Sequence, residues 1–272
     1  MKAPAFRYAR PESLDEALAL LGEHGAEARV LAGGQSLMPM LNLRLLAPAV
    51  LVDINRMPGL ARIAEHDDRI EVGALARHGE VLRSEAVRRA APLLALALPH
   101  VAHPAVRNRG THGGSLALAD PAAELPACAV ALGATLVLRG ADGERRVPAE
   151  AFFRALYETA LAPGEILVRV EYPRAAPGWR YAFDEVARRH GDFALAGLAA
   201  AARFEGEALR EARLAFFGVA DRPVLLRPAT ADEALAALET VEVAGSDVYP
   251  DDYRRRLMRA LLERVLERLG HS

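Results

Sequence analysis

The chain has 272 residues, 52% of them apolar, with 34 Lys and Arg against 36 Asp and Glu for a formal net charge of -2. That apolar content excludes a disordered chain, the length favours two domains, and the charge balance excludes a whole-chain field steering it to nucleic acid. A single cysteine, Cys128, excludes an intrachain disulfide and any cysteine-held cluster supplied by this chain alone.

The opening MKAPAFRYARPES has no apolar run of the secretory kind. No apolar stretch reaches the ~18 residues of a membrane span, so the chain reads as soluble and cytoplasmic. Residues 11–22 read as a helix. Ser13 and Glu16 have capping-box spacing, Leu14, Ala17, Leu18 and Leu21 form one stripe, and Gly22 and Gly25 end it. Residues 28–31 read as a strand that runs straight into Gly33 and Gly34, and residues 41–46 as a helical turn. Strands are expected at 50–54 and 69–73, and helices at 77–82 and 84–98, the latter with Ala90, Leu93, Leu94 and Ala97 on its core face.

Residues 100–116, HVAHPAVRNRGTHGGSL, lack periodicity and read as an ordered functional loop anchored by Val101, Val106 and Leu116. A small-residue helix follows through Ala131, with Cys128 as a buried hydrophobe. A hairpin is expected from 135–138 and 144–147 around Gly140, Asp142 and Gly143, then a strand at 166–170. A boundary falls at 173–178, where RAAPG interrupts the patterning. Strands at 194–204 and 212–219 and helices at 231–238 and 251–269 complete the chain. The last helix carries Tyr253, Leu257, Leu261, Val265 and Leu269 on one stripe, assigned to its own domain's core over an oligomer contact. Short strands alternating with small helices make the class α+β.

Two glycine pairs carry the chemistry. Residues 31–39, LAGGQSLMP, and 109–115, RGTHGGS, each set polar side chains beside a Gly-Gly step that lets successive N–H groups point into one concavity. Gly33, Gly34, Gln35 and Ser36 form one candidate donor set for a diphosphate, and Thr111, Gly113, Gly114 and Ser115 the other. On residues alone, ligand binding and plain structural turns stand even. Neither segment is GxGxxG or GxxxxGK[ST], so the common nucleotide fingerprints do not apply. Arg107 and Arg109 are read as solvent-facing or backbone-bonding ahead of anion contacts. His100, His103 and His112 lack the spacing of a metal set, and hydrogen bonding or packing is the preferred role. Asp120 reads as a helix-start residue, and Glu124 equally as that or as an acceptor for ligand hydroxyls. Asp192 is assigned to bracing its turn beside Arg188 and Arg189. Tyr172, Trp179, Tyr181, Phe183 and Phe193 are assigned to the core. No Ser-His-Asp set or GxSxG elbow is present around Ser36 or Ser115, so no catalytic residue and no metal ligand is assigned.

At these residues the chain resembles the FAD-binding medium subunit of the molybdenum hydroxylase family, which includes carbon monoxide dehydrogenase and xanthine dehydrogenase relatives. The resemblance rests on AGGQSLMP at 32–39, RNRGTHGGSLALADPAAELP at 107–126 and EVARRHGDFALAG at 185–197, and reaches the YRRRL of the final helix. It implies a two-subdomain FAD-binding region of the vanillyl-alcohol-oxidase (PCMH) type over residues 1–175, then a smaller α+β domain over 179–272. It also implies FAD contacts from Ala32, Gly33, Gly34, Gln35, Ser36 and Leu37 and from Thr111, Gly113, Gly114 and Ser115. Glu124 would lie near the flavin's polar chain and Leu167 near the isoalloxazine. Asp184 and Glu185 stand near where relatives can carry lysine, which argues against a lysine-tuned flavin. The implied partners are an iron-sulfur small subunit with two two-iron two-sulfur clusters, a large subunit holding the molybdenum cofactor, and an external electron acceptor, in a dimer of heterotrimers. A lone cysteine suits that division. A standalone FAD-dependent oxidase or reductase is the alternative, and a non-enzymatic sensor or assembly protein a third class.

Overall fold

The computed structural model describes residues 2–206 and 208–270. Met1, His271 and Ser272, the outermost residues of the expected domain bounds, lie outside them. Three larger sheets follow one another along the chain, beside a two-stranded ribbon of Phe153–Ala155 and Glu158–Thr159. The first is parallel, with Val50–Asp53 between Arg7–Ala9 and Ala28–Leu31. Its central strand is apolar and buried from Val50 to Val52 because it is covered on both faces. Helix Leu14–His24 packs on one face through Ala17, Leu18 and Leu21. The Ser13 side chain caps that helix by accepting from Glu16 N, whereas the Glu16 carboxylate accepts from Glu12 N, so the expected reciprocal box closes one residue early.

The second sheet is antiparallel in the order Ile63–Glu65, Arg69–Gly73, Ile166–Pro173, Thr135–Gly140, Gly143–Pro148. Ile70, Val72, Leu136, Leu138, Val170 and Tyr172 join a core with the helices Pro92–Ala97, His112–Leu118 and Glu124–Ala131. A bulge between Leu167 and Arg169 resets the alternation of the long strand. Leu167 therefore packs into that core, while Ile166 and Val168 pack with Val137 against the parallel sheet and tie the two subdomains together. The rest of that outer face is a ladder of Arg69, Glu71, Arg169, Glu144, Glu171 and Arg146, partly exposed and worth little in net stability.

The third sheet is antiparallel in the order Trp179–Ala187, Ala194–Glu205, Ala208–Phe217, Val224–Leu226. Both of its faces are buried. Phe183, Ala199, Ala215 and Phe217 join the core of the second sheet, and Ala182, Leu198, Ala200, Leu214 and Phe216 pack under helices Ala231–Glu239 and Asp251–Gly270. That two-sided burial explains the run ALAGLAAAA. A Cβ on Gly197 would stand 2.1 Å from the Phe217 ring, so space for the ring sets this position. The last helix buries Met258, Leu261, Leu262, Val265 and Leu269, with Tyr253 and Leu257 only partly covered. Its stripe serves its own domain, rotated slightly from the expected one.

Three expectations are corrected. Residues 84–98 are two helices, Glu85–Ala90 and Pro92–Ala97, because Ala91 adopts φ -140, ψ 62 ahead of Pro92. The expected turn at 41–46 begins earlier, as Leu37–Asn42. The strands Trp179–Ala187 and Val224–Leu226 were not foreseen: in the first, aromatic and charged residues hide the alternation.

Candidate functional site

Parallel pairing carries the C-terminal ends of Ala28–Leu31 and Val50–Asp53 to one edge, with Leu31 beside Asp53. Sheets of this kind place ligands at that edge. The chain leaves it through residues 32–36, with Gly34 at φ +73, a left-handed value glycine adopts without strain. Gly33 is required for space instead. A Cβ there would stand 2.4 Å from the carbonyl oxygen of Arg109 and 2.9 Å from Gly110 Cα, so the two glycine segments touch.

Their donors differ. Among the described residues, the backbone N–H groups of Gly33, Gly34, Gln35 and Ser36 have no hydrogen-bond acceptor. Four successive unengaged amides, on a segment with Gly34 left-handed, are available to donate to an oxyanion. The second segment is not the expected glycine turn. Thr111 caps the helix His112–Leu118, so Gly113 and Gly114 lie in its first turn. Their amides are taken: His112 N donates to Ala76 O (2.9 Å), Gly113 N to Ala74 O (2.8 Å), Gly114 N to Thr111 Oγ1 (3.1 Å) and Ser115 N to Thr111 O (3.1 Å). The helix won because Thr111 is a good N-cap and the open strand end at Ala74 to Ala76 offers acceptors. Gly113 is needed for packing, since a Cβ would fall 2.4 Å from that of Ala74. Of this segment Arg109 reaches the adjoining pocket, while the buried Thr111 hydroxyl already accepts from Gly114 N.

A pocket of about 490 Å³ opens here, lined by Leu31 to Gln35, Met38, Pro39, Asn42 and Arg109. Arg109 makes no ion pair or side-chain hydrogen bond among the described residues. Leu37 begins the adjoining helix. A smaller cavity of about 230 Å³, beside Leu14 and Leu60, is walled by Glu71, Glu144 and Arg169, which already pair with one another. The donor set of the larger pocket fits a diphosphate: unengaged amides, a glycine without a Cβ at the closest approach, and an unpaired guanidinium.

Two residues not singled out from the sequence join the segments. Asn55 Nδ2 donates to Ala32 O (2.7 Å) and Asp53 Oδ1 (2.6 Å), and Asn55 Oδ1 accepts from Arg77 Nη2 (2.7 Å). Arg77 Nη1 donates to Arg109 O. Burial of Arg77, and then the Arg109 charge, lower its pKa from the usual guanidinium value. Burial also works against the Asp53 charge, but hydrogen bonds from Tyr8 and Asn55 outweigh it and hold that carboxyl below its ordinary value. The only cue in the sequence was the place of Asn55, just past a strand end.

Glu124 is the first residue of its helix and is 7% exposed. Burial, reinforced by the nearby Glu185 charge, raises it to about 7. His100 Nδ1 lies 3.3 Å from Glu185 Oε1, and that hydrogen bond raises the imidazole pKa. Asp120 is braced locally, accepting from Ala122 N (2.9 Å) and the Tyr157 hydroxyl (3.1 Å). Leu167 is 4% exposed and its side chain is committed to the core.

The other candidates scatter. His112 is fully buried, with Nε2 2.7 Å from the Tyr172 hydroxyl, and burial lowers it to about 3. His103 precedes the short helix Pro104–Arg107. Among the described residues, no group of three His, Cys, Asp or Glu is placed to hold a metal ion. Arg107 donates to the carbonyls of Pro99, Val101 and Ala102, a structural tie. Two expectations fail at the hairpin tip beyond Ala187. The Asp192 side chain is exposed and makes no hydrogen bond among the described residues, the turn being closed by Asp192 N to Arg189 O. Phe193 is 67% exposed and outside the core, because the strand that would cover it begins only at Ala194.

An α+β chain with unengaged amides and a free guanidinium at a parallel sheet edge presents a site suited to an oxyanion. Residues 4–175 match the model of the FAD binding domain in molybdopterin dehydrogenase, and residues 181–269 that of the CO dehydrogenase flavoprotein C-terminal domain. The chain is 38% identical to the 6-hydroxypseudooxynicotine dehydrogenase complex subunit alpha of Paenarthrobacter nicotinovorans, over 100% of this chain and 96% of that one. It is 39% identical to the caffeine dehydrogenase subunit beta of a Pseudomonas species, over 98% and 96%. The solved carbon monoxide dehydrogenase of Hydrogenophaga pseudoflava superposes with a TM-score of 0.94 at 37% identity, covering 100% of this chain and 99% of that one. The chain belongs to the molybdenum hydroxylase family, as an FAD-binding medium subunit of the carbon monoxide dehydrogenase and xanthine dehydrogenase type.

Proposed function

We propose that the chain holds FAD between its two glycine segments and serves as the electron-transfer subunit of a three-component hydroxylase. The observation that carries this is the run of unengaged amides from Gly33 to Ser36, in contact with the Arg109 segment. In this reading Ala32 to Leu37 hold the diphosphate, with Arg109 close by and the hydroxyls of Thr111 and Ser115 completing the grip around Gly113 and Gly114. Glu124 accepts from the hydroxyls of the ribityl chain, and Leu167 meets the isoalloxazine through its main chain, since its side chain is covered. When bound, FAD supplies the redox chemistry, and the protein supplies position and electrostatics.

The partners are an iron-sulfur small subunit that delivers electrons and a large subunit with the molybdenum cofactor where substrate is oxidised, assembled as a dimer of heterotrimers in the cytoplasm. An external acceptor receives the electrons. The FAD-binding unit spans residues 1–175 and the smaller unit 179–272. Relatives named for caffeine and for a pseudooxynicotine align over almost the whole chain, which supports a substrate choice made elsewhere in the complex. The test is gentle purification with accompanying chains, a visible spectrum, and identification of the released cofactor. FAD together with iron-sulfur and molybdenum chains is expected. Turnover of an organic substrate by this chain alone would defeat the subunit reading.

A further inference from the structure

No hydrogen bond runs directly between residues 31–37 and 109–115 among the described residues. Each segment is anchored separately. The first is held by Asn55, which donates to Ala32 O at 2.7 Å. The second is held along residues 74–78, by the amides of His112 and Gly113 and by His78 N donating to Gly110 O. Arg77 is the link between these anchors. Its main chain bridges to Thr111, one guanidinium nitrogen reaches Arg109 O, and the other meets Asn55 Oδ1 at 2.7 Å.

We propose that Arg77, acting through Asn55, is the positioning residue of the diphosphate site, a strut whose two guanidinium arms set the spacing of the two glycine segments. The proposal rests on the FAD reading above. A planar guanidinium suits the task because its arms diverge at a fixed angle, whereas a lysine ammonium is a single point on a flexible stem. Spacing matters because the contact has no slack: with Gly33 already against Arg109 O, closer approach is blocked, and the strut adds a direct polar tie to the surrounding packing that opposes separation. The strut also sets two cations together, since Arg77 lies within electrostatic reach of Arg109 and no carboxylate bonds to either guanidinium among the described residues. An entering anion relieves that repulsion.

The test uses the protein purified with its accompanying chains, stripped of flavin and titrated with FAD, for wild type, Arg77→Lys, Asn55→Ala and the double variant. Each single change is expected to weaken FAD binding about tenfold, the scale of one lost charge-assisted hydrogen bond. The double variant should be no worse than either single one, because both break the same link. The visible spectrum of the flavin that still binds should match wild type, because the strut acts at the diphosphate end. Wild-type affinity in Arg77→Lys, additive losses in the double variant, or an altered spectrum would overturn the strut while leaving the FAD reading intact. A wild-type protein that neither carries nor binds FAD would overturn both.

Discussion

Gly33 and Gly34 look alike in the sequence but do different things. Gly34 supplies a left-handed backbone, and Gly33 supplies the missing Cβ where two segments meet. Gly33→Ala must push Arg109 and Gly110 away, because the clash is with main-chain atoms that cannot rotate aside. The expected result is loss of at least about tenfold in FAD affinity, measured by flavin titration, since overpacking a fixed contact costs about 1–3 kcal/mol. The Gly-Gly steps were legible as candidates from composition alone. Their division of labour was not, because a sequence does not say which amides already have acceptors. The pair at Gly113 and Gly114 reads like the first, yet the Thr111 cap and the carbonyl of Ala74 claim its N–H groups. Asn55 and Arg77 were invisible for a related reason: their roles depend on which segments lie either side of them.

Elements meet at Glu124, where the start of its helix, the His100 turn and the strand Trp179–Ala187 place two carboxylates and an imidazole together. The folded pKa of Glu124 is raised from its ordinary 4.5 to about 7. Its contribution to stability is therefore fully present below about 4.5 and is lost as pH rises through about 7, on the order of 3 kcal/mol. The raised His100 acts in the same direction, its ion pair with Glu185 fading as the imidazole loses its proton. His78 and His112, lowered by burial to about 4 and about 3, act oppositely and weaken the fold as pH falls below the ordinary 6.5. Glu124→Gln leaves those histidines in place, so the difference between variant and wild type isolates the carboxyl. The urea midpoint of the variant should exceed that of wild type at pH 8 and converge toward it at pH 5. Equal differences at both pH values would contradict the assignment. Most element positions were legible in chain order, because their patterns follow burial: the apolar run at 50–52 is a doubly covered strand, and the stripe at 251–269 a helix on its own sheet. The break at Ala91 and the exposed Phe193 depended on what the neighbouring chain did, which periodicity does not report.

At the scale of the whole molecule, the three larger sheets share two layers of contact. Val137, Ile166 and Val168 join the parallel sheet to the second, and Phe183, Ala199, Ala215 and Phe217 join the second to the third. This continuous packing holds the sheet edge and the Arg109 segment at a fixed separation, which a binding site built from backbone amides needs. Among the described residues, no helix is long and apolar enough to cross a membrane. The α+β class and its two-part order followed from patterning, and the cofactor class needed the resemblance of two long motifs, since glycine pairs alone left the question even. The central claim is that the diphosphate is the gripped group. The measurement that tests it most directly is titration of the flavin-stripped protein, with its accompanying chains, by FAD and by riboflavin, which has the same ring and no phosphate. FAD binding tighter than riboflavin by about a hundredfold or more is the expected result, the scale of two or more charge-assisted hydrogen bonds, and equal affinity for the two would contradict the account.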